Sequence, residues 1–115
     1  MRYLVTIYNN SETEAAITST DEQEFEQAHE AVQAELKASG ELLDTQVLSM
    51  RDARVVRSTP EGVLVADGPF IEVKEWVGGF YVLECDSIDR ATEIAGRFVE
   101  ARYSPIEVRR LGFDD

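Results

Sequence analysis

The chain has 115 residues, with 11 Lys and Arg against 23 Asp and Glu and a formal net charge of −12. This length predicts one domain, spanning residues 1–115, and this charge would repel a nucleic-acid backbone or an anionic membrane surface. The one cysteine, Cys85, excludes an internal disulfide and a multi-cysteine zinc site, and it fits a reducing cytoplasm.

The first predicted element is a strand over Arg2–Tyr8, because β-branched and aromatic residues occupy both of its alternating sets. Its apolar run is too short to span a membrane. A polar loop is expected over residues 9–19. The following stretch predicts a helix, since Thr20 and Gln23 have capping-box spacing and Gly40 supplies a stop. The apolar stripe of this helix consists of Phe25, Ala28, Val32 and Leu36.

Three strands are predicted next, over residues 42–49, 54–58 and 63–67, with a type I turn at Thr59–Gly62 joining the last two. A further strand, Gly78–Cys85, has two largely apolar faces. Asp86 or Ser87 is expected to cap a second helix, and residues 106–112 form a last strand. The apolar face of the second helix consists of Ala91, Ile94, Ala95 and Phe98.

The fold class predicted from this order is α+β. Without the central hairpin, the elements read β-α-β-β-α-β, the order of a ferredoxin-like fold with an antiparallel sheet and two helices on one face. Because two strands are apolar on both faces, the uncovered face also needs protection. A homodimer in which two such sheets pair would provide it.

Three arginines, Arg51, Arg54 and Arg57, lie close together in the predicted hairpin. They could form a local basic patch, but solvated charges that discourage association of strand edges are the preferred interpretation. Nucleic acid is therefore not an expected partner.

The order of several motifs points to a family. Asp67-Gly68-Pro69-Phe70 is followed by E-x-K-E at residues 72–75, by G-G-F at Gly78–Phe80, and by IEVRRL near the end. Over nearly its whole length the chain resembles the YCII-related domain family, and within it the branch marked by a D-G-P-F motif. The resemblance implies a ferredoxin-like monomer that pairs into a dimeric α/β barrel. It implies no established reaction, although a His/Asp pair has been suggested as a catalytic centre for the wider family.

The first functional hypothesis is a small cofactor-independent enzyme that performs acid–base chemistry on a small organic molecule. Asp67 would be the acid or base, with a pKa raised by packing beside Phe70, and Lys74 its electrostatic partner. A purely structural Asx-type turn at Asp67 is an equally good interpretation. The remaining ligand-binding candidates are Gly68, Pro69, Phe70, Glu72, Glu75, Trp76 and Phe80.

His29 is the only histidine and the natural proton shuttle if it faces a pocket with Asp67. Its offsets from Phe25 and Val32 place it on the apolar stripe of its helix, where packing is the simpler role. A hard-cation site formed by Asp67, Glu72 and Glu75 is disfavoured, so no metal or other cofactor is expected. Five aromatic residues could line a ligand cavity or pack in the core, namely Tyr3, Tyr8, Trp76, Phe80 and Tyr81.

The second functional hypothesis is a non-catalytic module that binds a ligand or regulates a partner. Members of the D-G-P-F branch often look like companions of extracytoplasmic-function sigma factors, so the resemblance makes such a factor a candidate partner. Binding without turnover would separate this hypothesis from the first.

Overall fold

The computed structural model of the protein describes residues 1–68 and 74–112. The described strands are β1 (Arg2–Asn9), β2 (Leu42–Val47), β3 (Arg54–Thr59), β4 (Gly62–Asp67), β5 (Trp76–Glu84) and β6 (Ile106–Arg110). The helices are α1 (Ser11–Ala15), α2 (Glu22–Ser39) and α3 (Ile88–Ala95), with a π-helical turn at Ala16–Thr20 and a 3-10 turn at Val99–Arg102.

Four strands form one antiparallel sheet in the order β2-β5-β1-β6, and β3 pairs with β4 in a separate hairpin. The predicted α+β class with an antiparallel sheet is confirmed. The strand order is consistent with a ferredoxin-like arrangement, in which β1 and β5 occupy the centre and an inserted hairpin follows β2.

The core lies between the sheet and helices α2 and α3. Alternate residues of β1 and β5 point into it, because successive side chains of a strand face opposite sides of the sheet. The apolar stripe predicted for the first long helix is confirmed at its buried positions Phe25, Val32 and Leu36. The main cluster includes Tyr3, Val5, Ile7, Val32, Leu36, Tyr81, Leu83, Ala91, Ile94 and Phe98.

The stretch expected to be a polar loop is largely helical. Asn10 adopts an extended backbone and its side chain accepts a hydrogen bond from the Thr13 amide at 2.9 Å, which caps α1. Thr13 is fully buried and its hydroxyl donates to Ser104 at 2.7 Å. The π-helical turn then runs to Thr20, so the N-cap position of α2 is Asp21, one residue later than predicted.

Two predicted helix boundaries, the stop at Gly40 and the cap at Ser87, are confirmed, whereas Phe98, predicted on the apolar face of the second helix, lies beyond the end of α3 at Ala95. Gly40 follows α2 with φ of +79°, a left-handed conformation that glycine adopts without steric cost. The side chain of Ser87 accepts a hydrogen bond from the Arg90 amide at 3.2 Å and caps α3. Across the turn between β3 and β4, Thr59 pairs with Gly62 as expected from the sequence.

None of the helices in the described ranges combines the length and apolar character needed to cross a membrane.

Candidate functional site

His29 lies on the face of α2 that is turned toward the sheet. Its Nε2 atom is 2.7 Å from Oε2 of Glu100, and its Nδ1 atom is 2.7 Å from the hydroxyl oxygen of Tyr81. His29 follows Phe25 by four residues and precedes Val32 by three. Its imidazole therefore lies on the same face of the helix as these two core residues. The histidine is therefore held in a polar network, and packing does not fully describe its role.

Glu100 comes from the 3-10 turn that follows α3. The residue is only 7% exposed, which is uncommon for a carboxylate, and its burial would be costly without a donor. His29 provides that donor to Oε2. Within the described part of the chain, the second carboxylate oxygen, Oε1, has no hydrogen-bond partner.

Tyr81 faces the same network from the centre of β5. Its hydroxyl accepts a hydrogen bond from Nε2 of Gln33 at 3.0 Å, in addition to its contact with His29. Burial raises the pKa of Tyr81, and the negative charge of Glu100 acts in the same direction. The hydroxyl therefore keeps its proton at neutral pH and can donate it.

Aromatic rings fix the orientation of the imidazole. The ring of His29 stacks on Phe98 with 4.6 Å between centroids and an interplanar angle of 20°. Tyr81 contacts the same phenylalanine with centroids 4.8 Å apart. These contacts restrict the imidazole to the rotamer that reaches both of its hydrogen-bond partners.

The chemistry of the partners determines where the protons lie. An ionised carboxylate only accepts hydrogen bonds, so Nε2 of His29 carries the hydrogen that faces Glu100. In the neutral imidazole, Nδ1 is then an acceptor, and the Tyr81 hydroxyl donates to it. Tyr81, His29 and Glu100 thus form a hydrogen-bonded chain. One proton can move along it from the tyrosine hydroxyl to the imidazole, and the carboxylate of Glu100 then stabilises the imidazolium.

A cavity of about 410 Å³ opens beside this network, between α2 and the ends of β1, β2 and β5. Ligand pockets commonly have volumes of about 300 to 1,000 Å³. Ile17 and Phe25 give its wall an apolar part, whereas His29, Tyr81 and Glu100 give it a reactive polar part. The site can thus hold a small organic molecule against a group that exchanges protons.

Asp67 lies elsewhere, at the end of β4. It is exposed and pairs across the hairpin with Arg54. The desolvation that would suit it to acid–base chemistry is not seen in the residues that the structure describes. The adjacent Gly68 donates its amide to the Ala53 carbonyl at 2.7 Å, and a Cβ atom on it would lie 3.0 Å from the Ala53 carbonyl carbon. The backbone of Ala53 therefore approaches this glycine closely.

The other predicted site residues are divided between several places. Lys74 is exposed and, with the half-buried Glu75, borders a shallow depression that is separate from the His29 cavity. Trp76 is half-buried in β5. Phe80 lines the His29 cavity. Pro69, Phe70 and Glu72 lie outside the described residues.

The structure therefore does not place His29 and Asp67 in one network. His29 uses Tyr81 and Glu100 as its partners, and neither Asp67 nor Lys74 lines its cavity. The helix face on which packing was the simpler interpretation borders a cavity. Tyr81 and Phe80 are the two members of the aromatic set that border it.

Two further features concern metals and thiols. Over residues 1–68 and 74–112, no group of three or more His, Cys, Asp or Glu side chains is arranged to hold a metal ion. Cys85 is buried, and burial raises the pKa of its thiol, which keeps it in the less reactive protonated form at neutral pH.

Comparison with known proteins gives two matches over almost the whole chain. The model of the YCII-related domain family matches residues 1–111. An uncharacterized protein of Rhizobium meliloti (strain 1021) is 31% identical over 114 residues, which is 96% of this chain and 92% of the relative.

Proposed function

The chain belongs to the YCII-related domain family, and we propose that it is a small enzyme that moves a proton within a small organic molecule bound in the His29 cavity. The observation that supports this proposal most strongly is the partly buried chain of hydrogen bonds from Tyr81 through His29 to Glu100. This replaces Asp67 with His29 as the centre of the proposed chemistry.

The proposed step is a proton transfer next to a carbonyl group. Both nitrogens of His29 are already hydrogen-bonded, so a proton of the ligand reaches the imidazole through the hydroxyl of Tyr81. The oxygen of Tyr81 takes a proton from the ligand carbon while its own proton passes to Nδ1. The imidazolium is stabilised by Glu100, and an enolate is formed.

The reverse flow completes the reaction. The proton returns from Nδ1 to the tyrosine oxygen, and the tyrosine proton passes to a different atom of the same ligand. The substrate is thereby isomerised, and atoms and electrons balance without a co-reactant.

Proton exchange measured by NMR tests this function. Phenylacetone and a β,γ-unsaturated butyrolactone, incubated in D₂O, should lose their α-proton signals faster with the protein than in buffer. His29→Gln should lower this enhancement by about 10² to 10⁴, the usual contribution of a positioned acid or base. Exchange at the buffer rate with both compounds, or an undiminished rate in His29→Gln, would contradict the proposal.

A homodimer is part of the proposal. The face of the sheet opposite the helices carries apolar side chains that the described residues leave partly exposed, including Val77 and Leu111, each 37% exposed. A second copy that packs on this face would remove them from water. The His29 cavity lies on the helix side, so dimerisation would leave it open.

Membership of the D-G-P-F branch is proposed from the motif at Asp67–Phe70.

A non-catalytic module associated with an extracytoplasmic-function sigma factor is the alternative function, and it rests on the resemblance to that branch. Ligand binding in the His29 cavity that stabilises the fold but produces no proton exchange would favour this alternative.

A further inference from the structure

The hairpin of β3 and β4 is separate from the main body of the fold. Its two strands pair with each other in a sheet of their own, and all six residues of β4 are exposed. Among the described residues, no member of either strand belongs to a core cluster. A two-stranded hairpin alone is at best marginally stable in water. The hairpin therefore needs a surface to pack against.

One side of the hairpin is formed by three valines. Val56 lies directly opposite Val65 in the register, and Val63 is two residues before Val65, so the three side chains point to the same side. Each of them is between 59% and 64% exposed. Leu64 points to the other side, where it lies opposite Arg57. We call Val56, Val63 and Val65 the valine face.

The chain has more surface than a single compact copy needs. It exposes 7928 Å², whereas a folded monomer of this mass exposes about 6,300 Å². Its radius of gyration is 16.0 Å, against about 13 Å for a compact domain of this length. If two copies each buried the excess of about 1,600 Å², their interface would total about 3,200 Å², within the range of about 2,000 to 5,000 Å² for obligate homodimers.

Exposed apolar residues connect the hairpin to the open face of the main sheet. Leu48 borders the same depression on that face as Val77, and its amide donates to the Gly78 carbonyl at 2.9 Å. Met50 is the next large apolar residue and is also exposed, and β3 begins at Arg54. A contiguous exposed apolar surface marks an interaction site. The valine face thus continues the surface on which a second copy is proposed to pack.

The distribution of charge also favours a second copy as the partner. The hairpin, residues 54–67, contains two arginines and two acidic residues, so its formal charge is zero and the whole net charge of −12 belongs to the rest of the chain. Two bodies of such charge repel each other. A neutral segment is the part of one copy that approaches the other with the least repulsion.

We propose that the hairpin is a dimerisation arm, which reaches across to a second copy of the chain and packs its valine face against that copy. The inference rests on the homodimer of the proposed function and adds a second contact region to the pairing of the open sheet faces. No residue of β3 or β4 lines the His29 cavity, so the arm takes no part in the proposed proton transfer.

Two matched variants in β4 test the arm. Val65→Lys places a charge on the valine face, and Leu64→Lys places the same charge on the other side of the same strand, at a residue of equal exposure. Because a buried charge loses its hydration, Val65→Lys should raise the dissociation constant of the dimer at least about tenfold in sedimentation equilibrium. Leu64→Lys should leave it within about threefold of the native value.

Isotope-filtered NMR locates the contact. In a dimer assembled from one copy with labelled valine methyl groups and one unlabelled copy, Val56 and Val65 should show nuclear Overhauser effects to the unlabelled copy. The phenylacetone exchange rate of Val65→Lys should equal that of the native protein, since this residue does not line the cavity.

The outcomes separate the arm from the rest of the proposed function. A Val65→Lys dimer of native affinity, or a greater effect of Leu64→Lys, would overturn the arm and leave the pairing of the sheets in place. A native dimer without intermolecular effects at either valine would also overturn it and assign the valine face to a different protein partner. A monomeric native protein would overturn both the arm and the homodimer, whereas the proton transfer is tested independently by phenylacetone exchange.

Discussion

The Nε2 atom of His29 lies 2.7 Å from Oε2 of Glu100, although 71 positions separate the two residues in the chain. Because a carboxylate only accepts hydrogen bonds, it selects the Nε2–H form of the neutral imidazole. Nitrogen-detected NMR in mildly alkaline buffer should therefore show His29 as one Nε2–H tautomer. The single histidine makes the spectrum unambiguous.

Glu100→Leu is the matched comparison for this prediction, since it keeps an apolar side chain of similar size at the buried position. It should give a mixture of tautomers. A mixture in the native protein, or a predominant Nδ1–H form, would contradict the assignment of protons in the network.

The stability of the fold should depend on the same pair. His29→Ala leaves the largely buried carboxylate of Glu100 without its donor, and an unsatisfied acceptor of this kind costs about 1 to 3 kcal/mol. Glu100→Ala should also destabilise the protein. In a double-mutant cycle measured by urea unfolding, the two changes should couple by more than about 1 kcal/mol.

A cycle between His29→Ala and Glu61→Ala, which changes an exposed residue of the hairpin turn, provides the control and should give additive effects. Additive effects for His29 and Glu100 would show that their contact contributes little to stability.

Acid should remove one specific contribution to stability. Hydrogen bonds from Arg90 and, to a smaller extent, from Ser39 lower the pKa of Glu41 from 4.5 to about 2. A carboxylate with a lowered pKa stabilises the folded state at pH values above the pKa of the unfolded chain, and this stabilisation is lost as pH falls through the folded value. The contribution of Glu41 should thus decline between pH 4.5 and about 2.

Glu41→Gln should lower the free energy of unfolding by about 1 to 2 kcal/mol at neutral pH, because it removes a charged acceptor. Urea unfolding of the native protein and the variant should show this difference shrinking toward zero near pH 2. A difference that stays constant across this range would mean that the Arg90 contact does not stabilise the ionised carboxylate.

The open face of the sheet predicts a change in oligomeric state. Val77→Lys places a charge on the face where a second copy is proposed to pack, and it should convert a dimer into a monomer in sedimentation experiments. Ile88→Lys, which changes an apolar residue that is 50% exposed on α3, should leave the dimer intact. A monomeric native protein, or a Val77→Lys dimer of unchanged affinity, would rule out this interface.

Much of the fold was predictable from local patterns. The β-branched and aromatic run of β1, the stripe of α2, Gly40 and the cap at Ser87 are each determined by neighbours in the chain. The first helix was missed, although Asn10 three residues before Thr13 is a capping signal. The run of polar residues around it favoured a loop.

The site was less predictable, because its members meet only in the folded chain. Tyr81 and Glu100 are 52 and 71 positions from His29, and spacing rules for helices and strands do not reach that far. One signal was present: Glu100 directly follows the apolar pair Phe98-Val99, at the end of a helix face that must be buried. An acid at such a place indicates a buried carboxylate with a partner elsewhere in the fold.

The central claim is that the proton-transfer site is the Tyr81, His29 and Glu100 network, and one comparison of variants tests it most directly. Tyr81→Phe removes only the hydroxyl, and Asp67→Asn removes only the charge of the alternative acid; circular dichroism would verify that both variants fold. In the phenylacetone exchange measurement, Tyr81→Phe should lose about 10² or more of the rate enhancement and Asp67→Asn should keep it. The opposite result, an active Tyr81→Phe and an inactive Asp67→Asn, would contradict the account. It would instead favour Asp67 of the D-G-P-F motif as the acid or base.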